Sequence, residues 1–151
     1  MLNGHVIIAI YVNNMLLFGK SLKEVKIVKA LIARKFQVKD LGEASVCLGI
    51  HISRDRKNRI LRIDQSAYMR NVVRRFQQSN SPGISTPMAI DAQFTLAEEG
   101  NEFKALTYQE AVGSLMHLLH THLELAFAVG KVSQFSLKPR MNHWTAIIRI
   151  L

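Results

Sequence analysis

The apolar pattern changes period along this chain, and that change limits the fold more than any other feature. Apart from one helical stretch, residues 1–64 carry short β-branched or alternating runs, whereas from Gln65 onward apolar residues recur only at helical spacing. A chain that pairs strands early and packs helices late is an α+β fold, with antiparallel hairpins followed by a mostly helical part.

His5-Val6-Ile7-Ile8-Ala9-Ile10-Tyr11-Val12 is short, β-branched and apolar, as a strand covered on both faces should be. Met15-Leu16-Leu17-Phe18 and Gly19 return, so Asn13-Asn14 is the expected tight turn, because asparagine tolerates positive φ. Ser21-Leu22-Lys23-Glu24 has the spacing of a capping box. The helix it opens places Val25, Val28, Ile32 and Phe36 on one face, Ile27 and Leu31 beside them, and Lys23, Lys26 and Arg34 toward solvent. Asp40-Leu41-Gly42 is the break. Val46, Leu48, Ile50 and Ile52 then alternate with Cys47, Gly49, His51 and Ser53, and Asp55-Arg56-Lys57-Asn58 turns the chain into a strand over Arg59–Asp64. The next helix has an apolar face of Met69, Val72, Val73 and Phe76, with Arg70, Arg74 and Arg75 elsewhere on the cylinder.

From Gln78 to Leu106 the pattern dissolves. Asn80-Ser81-Pro82-Gly83 and Ser85-Thr86-Pro87 are turn formers, and Glu98-Glu99-Gly100-Asn101 is a polar patch. A connection this long marks a boundary, so the main division is placed here. Beyond it, Thr107-Tyr108-Gln109-Glu110 reads as a second capping box before Val112, Leu115, Met116 and Leu119. A further helix carries Phe127, Val129, Val132 and Phe135, and stops before Pro139. A last one begins near Asn142 and shows Trp144, Ile147, Ile148 and Leu151. It reaches the final residue without a polar cap, as a truncated helix would.

With 48% hydrophobic and 21% charged residues, the composition is that of a folded domain rather than a disordered tail. No apolar run is long enough to span a bilayer, so no membrane partner is expected, and no secretion signal is read at the N-terminus. Cys47 stands alone, which fits a reducing compartment, cytoplasmic or nuclear. The formal net charge of +9 points toward a polyanionic partner, since basic side chains release condensed counterions from nucleic acid.

Taken in order, the segments resemble the palm-to-thumb half of a copia-type retrotransposon reverse transcriptase. Tyr11-Val12-Asn13-Asn14-Met15-Leu16 looks like the family's Tyr-Val-Asp-Asp hairpin. Lys39-Asp40-Leu41-Gly42-Glu43 and then Leu48-Gly49-Ile50 resemble the approach to the primer-grip hairpin. Gln65 and Tyr68 sit where the family starts its thumb, and Thr86-Pro87 fits the end of its variable linker. Tyr108, Ala111-Val112-Gly113-Ser114-Leu115-Met116 and His143-Trp144 complete the series. The resemblance covers nearly the whole chain. It implies RNA-directed DNA polymerisation as the ancestral activity, Mg²⁺ as the family's cofactor, and four parts. These are a partial palm at 1–64, a first thumb helix at 65–77, a linker at 78–106, and a helical thumb at 107–151. The family's fingers and first palm strand would precede Met1, and its ribonuclease H domain would follow Leu151.

The departures bear on chemistry. Asn13 and Asn14 occupy the positions of the family's catalytic Asp-Asp pair, and nucleotidyl transfer of this kind uses two metal ions held by carboxylates and phosphates. An amide oxygen can ligate but brings no charge, so these positions are expected to be a plain turn, with no cofactor for this chain. His122-Leu123-Glu124 replaces the family's Arg-Pro-Asp, and His117 replaces a favoured Tyr. His117, His120 and His122 lie close together on or beside a helix, but no carboxylate or Cys pattern completes a zinc site, and no metal is assigned to them. His143-Trp144 reads as a packing and capping element, and Cys47 as a structural thiol. No Gly-rich phosphate loop, CxxC pair or GxSxG motif suggests another enzyme class.

Residues 54–75 hold eight Lys or Arg against two Asp. A solvated face is the bland account of such a run. The resemblance places it on the primer grip and first thumb helix, which implies that Arg54, Arg56, Lys57, Arg59, Arg70, Arg74 and Arg75 contact the backbone of a template–primer-like duplex without reading sequence. A different reading makes the chain a structural or protein-interaction module, in which the exposed edge of the first hairpin and the unfinished last helix pair with another protein chain. Separately, the first hairpin lacks neighbouring strands, so self-association is expected.

Overall fold

The computed structural model describes residues 5–89, 94 and 102–151, in two units, Met1–Cys47 and Leu48–Leu151. The chain is α+β, as its two hydrophobic periods require. The division falls between Cys47 and Leu48, whereas the sequence reading put the main one at 78–106. The reason is that α2, before that connection, shares one core with the helices after it. The polar patch Glu98–Asn101 lies outside the described residues.

In the first unit, β1 (Val6–Tyr11) pairs antiparallel with β2 (Asn14–Gly19), with Tyr11 opposite Asn14. The loop residues are therefore Val12 and Asn13, one position earlier than expected. Val12 sits at φ 52°, an uncommon conformation for a β-branched side chain. The pairing register overrides this local cost, because a one-residue slip would turn every side chain of a strand to the opposite face.

The helix α1 (Leu22–Lys35) is capped by Ser21, whose hydroxyl accepts from the Lys23 N–H at 3.2 Å. It packs so closely on the hairpin that a Cβ at Gly19 would lie 2.7 Å from Val25 Cγ2. Asp40 ties the following loop back to the helix, accepting from Lys29 Nζ at 2.7 Å and from the Gly42 N–H at 2.9 Å. Those bonds, the lysine's first, hold its carboxyl below the usual range.

The expectation that β1 is covered on both faces fails. Ile7 is 65% exposed and its cross-strand neighbour Phe18 52%, while Ile10, on the other face, is 69% exposed. Phe36 ends the helix rather than joining its apolar face, and no residue of α1 is fully buried. Two strands and one helix do not enclose an interior.

The second unit follows a short strand, β3 (Val46–Cys47). The expected continuous strand is broken at Leu48 and Gly49, both left-handed with φ 51° and 79°. The hairpin resumes as β4 (Ile50–Asp55) and β5 (Ile60–Asp64), and Arg59, expected in the returning strand, belongs to the turn at φ 56°. There follow α2 (Ser66–Arg75), α3 (Ala105–Leu118), a short 3-10 turn (Leu123–Leu125), α4 (Ala126–Ser133) and α5 (Met141–Ile150). Their core joins Val72 and Phe76 of the α2 segment to Tyr108, Leu115, Val129, Val132 and Ile147. Tyr108, fully buried, donates its hydroxyl to the Val132 carbonyl at 2.7 Å, and burial raises its pKa.

Three helix expectations need correction. The Thr107–Glu110 box does not cap, because α3 already starts at Ala105, where Phe103 N–H bonds the Pro139 carbonyl and sets how the chain enters the helix. Met116 faces outward and Leu118 inward, and Leu119 packs only at the core's margin. Phe127 is 70% exposed, since it projects from the side of α4 opposite Val129, with Lys131 Nζ 5.8 Å from its ring centre. His143 does cap α5, its Nδ1 accepting from the Arg140 N–H at 3.0 Å while its ring stacks on Phe135.

Candidate nucleic-acid interface

The basic residues of the 54–75 stretch stand on two elements of the second unit. The first is the tip of the β4–β5 hairpin. Asp55 closes this turn by accepting from the Asn58 backbone N–H at 3.1 Å and its side-chain amide at 2.6 Å. A carboxylate bonded across a four-residue loop fixes its shape, so Arg56, Lys57 and Arg59 are presented together and exposed. The second element is α2. Its inner face carries Val72 and then Phe76, which leaves Arg70, Arg74 and Arg75 in solvent. Arg70 and Arg74 are one helical turn apart. Arg74 and Arg75 also lie in the last turn, where cations interact favourably with the helix dipole, so helix stability alone accounts for part of their presence.

The pleat of the hairpin sorts the remaining charges. Arg54 pairs with Leu61, and Ser53 with Arg62. Residues directly opposite share a face and successive residues alternate, so Arg54 and Arg62 lie on opposite faces. Asp64 pairs with His51 on the face of Arg62, and it also feels the charge of Arg70. Arg62 therefore shares a hairpin face with His51 and Asp64, and Arg54 stands on the other. Sequence reasoning left Arg62 out of the candidate basic residues, although the alternation that separates it from Arg54 was readable. Arg62→Ala should lower duplex affinity several-fold and Arg54→Ala much less, a comparison that fluorescence anisotropy makes directly. Equal losses would mean that the face assignment is irrelevant to binding.

Acidic neighbours temper the field without cancelling it. The Asn58 backbone N–H, then its side chain, hold the Asp55 carboxyl below the usual range. For Asp64 the backbone N–H of Ser66 is the main cause, followed by its hydroxyl and the nearby His51 and Arg70 charges. Both are ionised at neutral pH, leaving six net positive charges from eight basic and two acidic residues in 54–75.

Asn13 and Asn14 lie in the other unit, Asn13 in the loop and Asn14 as the first residue of β2, both exposed. Their amide oxygens are neutral, and among the described residues no group of three or more His, Cys, Asp or Glu is placed to hold a metal ion. The donor set at this turn does not fit the family's paired Mg²⁺ ions, which need carboxylate charge while phosphates crowd them. The three clustered histidines do not converge on a common point. His117 meets the Tyr68 ring edge-on at 4.7 Å, His120 Nδ1 lies 2.9 Å from the His117 carbonyl, and His122 Nδ1 lies 2.7 Å from Glu124 Oε1.

The Tyr-Val-Asn-Asn hairpin with its turn at Val12 and Asn13, followed by a basic hairpin and a basic helix, is the order of elements that the comparisons with known proteins bear on. The chain belongs to the reverse transcriptase (RNA-dependent DNA polymerase) family, whose profile matches residues 2–90. It is 37% identical, over 99% of its length, to the retrovirus-related Pol polyprotein from transposon TNT 1-94 of Nicotiana tabacum, of which it covers 12%. To the corresponding polyproteins from transposons RE2 and RE1 of Arabidopsis thaliana it is 28% identical, over 94% and 97% of its length, and covers 10% of each. The chain thus spans about a tenth of the length of these relatives. No solved structure matches it. Among the described residues no helix is long and apolar enough to cross a membrane.

Proposed function

We propose that this chain is a catalytically silent segment of a copia-type reverse transcriptase that binds the backbone of a template–primer-like duplex without reading sequence. The observation that carries the reading is the exposed basic surface of the β4–β5 tip and α2, which presents Arg56, Lys57 and Arg59 in a fixed loop and Arg70, Arg74 and Arg75 along one helix. Arginine forks suit phosphate oxygens, and contacts of this kind position a duplex without specifying bases. The silence rests on Asn13 and Asn14. Single Cys47, half-exposed and free, fits the reducing cytosol or nucleus in which such a duplex would be met.

Primer extension on poly(rA)–oligo(dT) tests the chemistry, with either Mg²⁺ or Mn²⁺. No product above a buffer blank is expected, and extension would overturn the reading of Asn13 and Asn14. In the same preparation, RNA–DNA hybrid and duplex DNA of unrelated sequence should compete about equally for binding. A strong preference for one DNA sequence would contradict backbone recognition.

A second reading, a protein-interaction module, is favoured by the first unit. Its sheet leaves Ile7, Ile10, Tyr11 and Phe18 more than half exposed, a surface that suits another polypeptide better than a phosphate backbone. Absence of duplex binding even at low salt would make this the better account.

A further inference from the structure

We infer that Gln65 is a positioning residue that locks the basic hairpin to the basic helix, so that their arginines act as one surface. This rests on the reading of that surface as a nucleic-acid interface.

Gln65 is the residue between the end of β5 and the start of α2, and it is 2% exposed. Its backbone carbonyl accepts the Met69 N–H at 2.8 Å, beginning the helix, but its side chain makes no bond to that helix. The amide reaches across to the far end of α3 instead. Its nitrogen donates to the His117 carbonyl at 3.0 Å, and its oxygen accepts from the Thr121 hydroxyl at 2.8 Å. His117 lies in the last turn of α3, and its carbonyl, also 2.9 Å from His120 Nδ1, takes the Gln65 amide, so Gln65 caps from outside a helix 52 positions away in sequence.

The other end of the hairpin meets the same place. At Gly49, just before β4, a Cβ would come within 3.4 Å of His117 Nε2, and Gly49 is left-handed at φ 79°. Tyr68, in the first turn of α2, meets the His117 ring in a T-shaped contact. Both roots of the hairpin and the first turn of α2 therefore converge on His117. The hairpin's own apolar anchorage is limited to the partly buried Ile50 and Ile52, with Ile60, Leu61 and Ile63 all exposed. An amide making two directed hydrogen bonds in a buried site specifies an angle in a way that apolar packing does not. A phosphate backbone samples charges at fixed spacing, so a hairpin free to swing would keep its charge and lose its simultaneous contacts.

The experiment compares the full chain with Gln65→Met, Thr121→Val and Thr121→Ser. Amide hydrogen exchange is read separately at the hairpin (Ile52, Ile63) and in the core (Val129, Val132, Ile147), and duplex affinity is measured across a salt series. In Gln65→Met the hairpin amides should lose about tenfold more protection than the core amides. Affinity should fall several-fold with a shallower salt slope, although every Lys and Arg remains. Thr121→Val should show the same pattern more weakly, and Thr121→Ser, which keeps the hydroxyl, should match the parent. Should Gln65→Met fail to fold, Thr121→Val against Thr121→Ser decides. Equal loss of protection in hairpin and core would reduce Gln65 to an ordinary core residue. A loosened hairpin with unchanged affinity and slope would leave it a clamp that binding does not need, and would also overturn the inference. If the parent chain binds no duplex, the proposed function falls while the exchange measurement still judges the lock.

Discussion

Replacing Arg70, Arg74 and Arg75 together with alanine should weaken duplex binding by roughly 500-fold near 0.1 M salt. The estimate follows from counterion release, which gives a log–log salt slope of about −0.9 for each neutralised phosphate on B-DNA. Three lost contacts should also flatten that slope by about 2.7 units. All three side chains are solvent-exposed, and the residues that anchor α2, Val72 and Phe76, are untouched, so the helix should survive the change. The matched control is Lys23, Lys26 and Arg34 to alanine. It removes the same charge from the exposed side of α1 and should do little. Fluorescence anisotropy on the parent and both triples gives the comparison. If the control loses as much as the α2 triple, attraction is diffuse and no phosphate-following surface exists.

A second large effect is expected in solution behaviour. A two-stranded hairpin needs a third strand or a packed helix to persist in water, and α1 supplies only partial cover. Val6–Tyr11 contains no charge, no proline and no glycine, none of the devices that keep an exposed strand from pairing with another chain. The protein should therefore self-associate at tens of micromolar despite its net charge of +9. Changing Ile7, Ile10 and Phe18 to threonine keeps β-propensity and removes apolar surface from both faces of the hairpin. Light scattering coupled to size exclusion should then shift from large or mixed species to monomer. A sharp monomer from the unchanged protein would show that α1 covers the sheet well enough.

Much of this architecture is legible in the sequence. The α+β arrangement followed from the change of period, and the inner face of α2 from Met69, Val72, Val73 and Phe76. The tight family motifs lie on the hairpins and helices that carry them. What escaped were features fixed by distant partners. The loop at Val12 and Asn13 is set by the register of two whole strands, which outweighs the local preference of asparagine for the turn. Leu118 rather than Met116 faces inward because α3 must pack on α4 and α5 together. Of the candidate site, the basic residues were found by charge. Their distribution over two hairpin faces needed the pairing of Ser53 with Arg62, and the role of Gln65 needed a contact spanning 52 residues.

The packing of Trp144 has a practical consequence for any such measurement. It is the only tryptophan, stacked on Phe103 with ring centres 4.4 Å apart and edge-on to Phe76 at 6.0 Å. Every fully buried side chain among the described residues lies between Gln65 and Ile147. The indole is thus a native fluorophore for the helical core and blind to the hairpin unit, whereas backbone dichroism sums over both. Melts followed by the two signals need not coincide, because separate cooperative blocks open at separate free energies. Any gap between the two midpoints measures how independently the parts unfold.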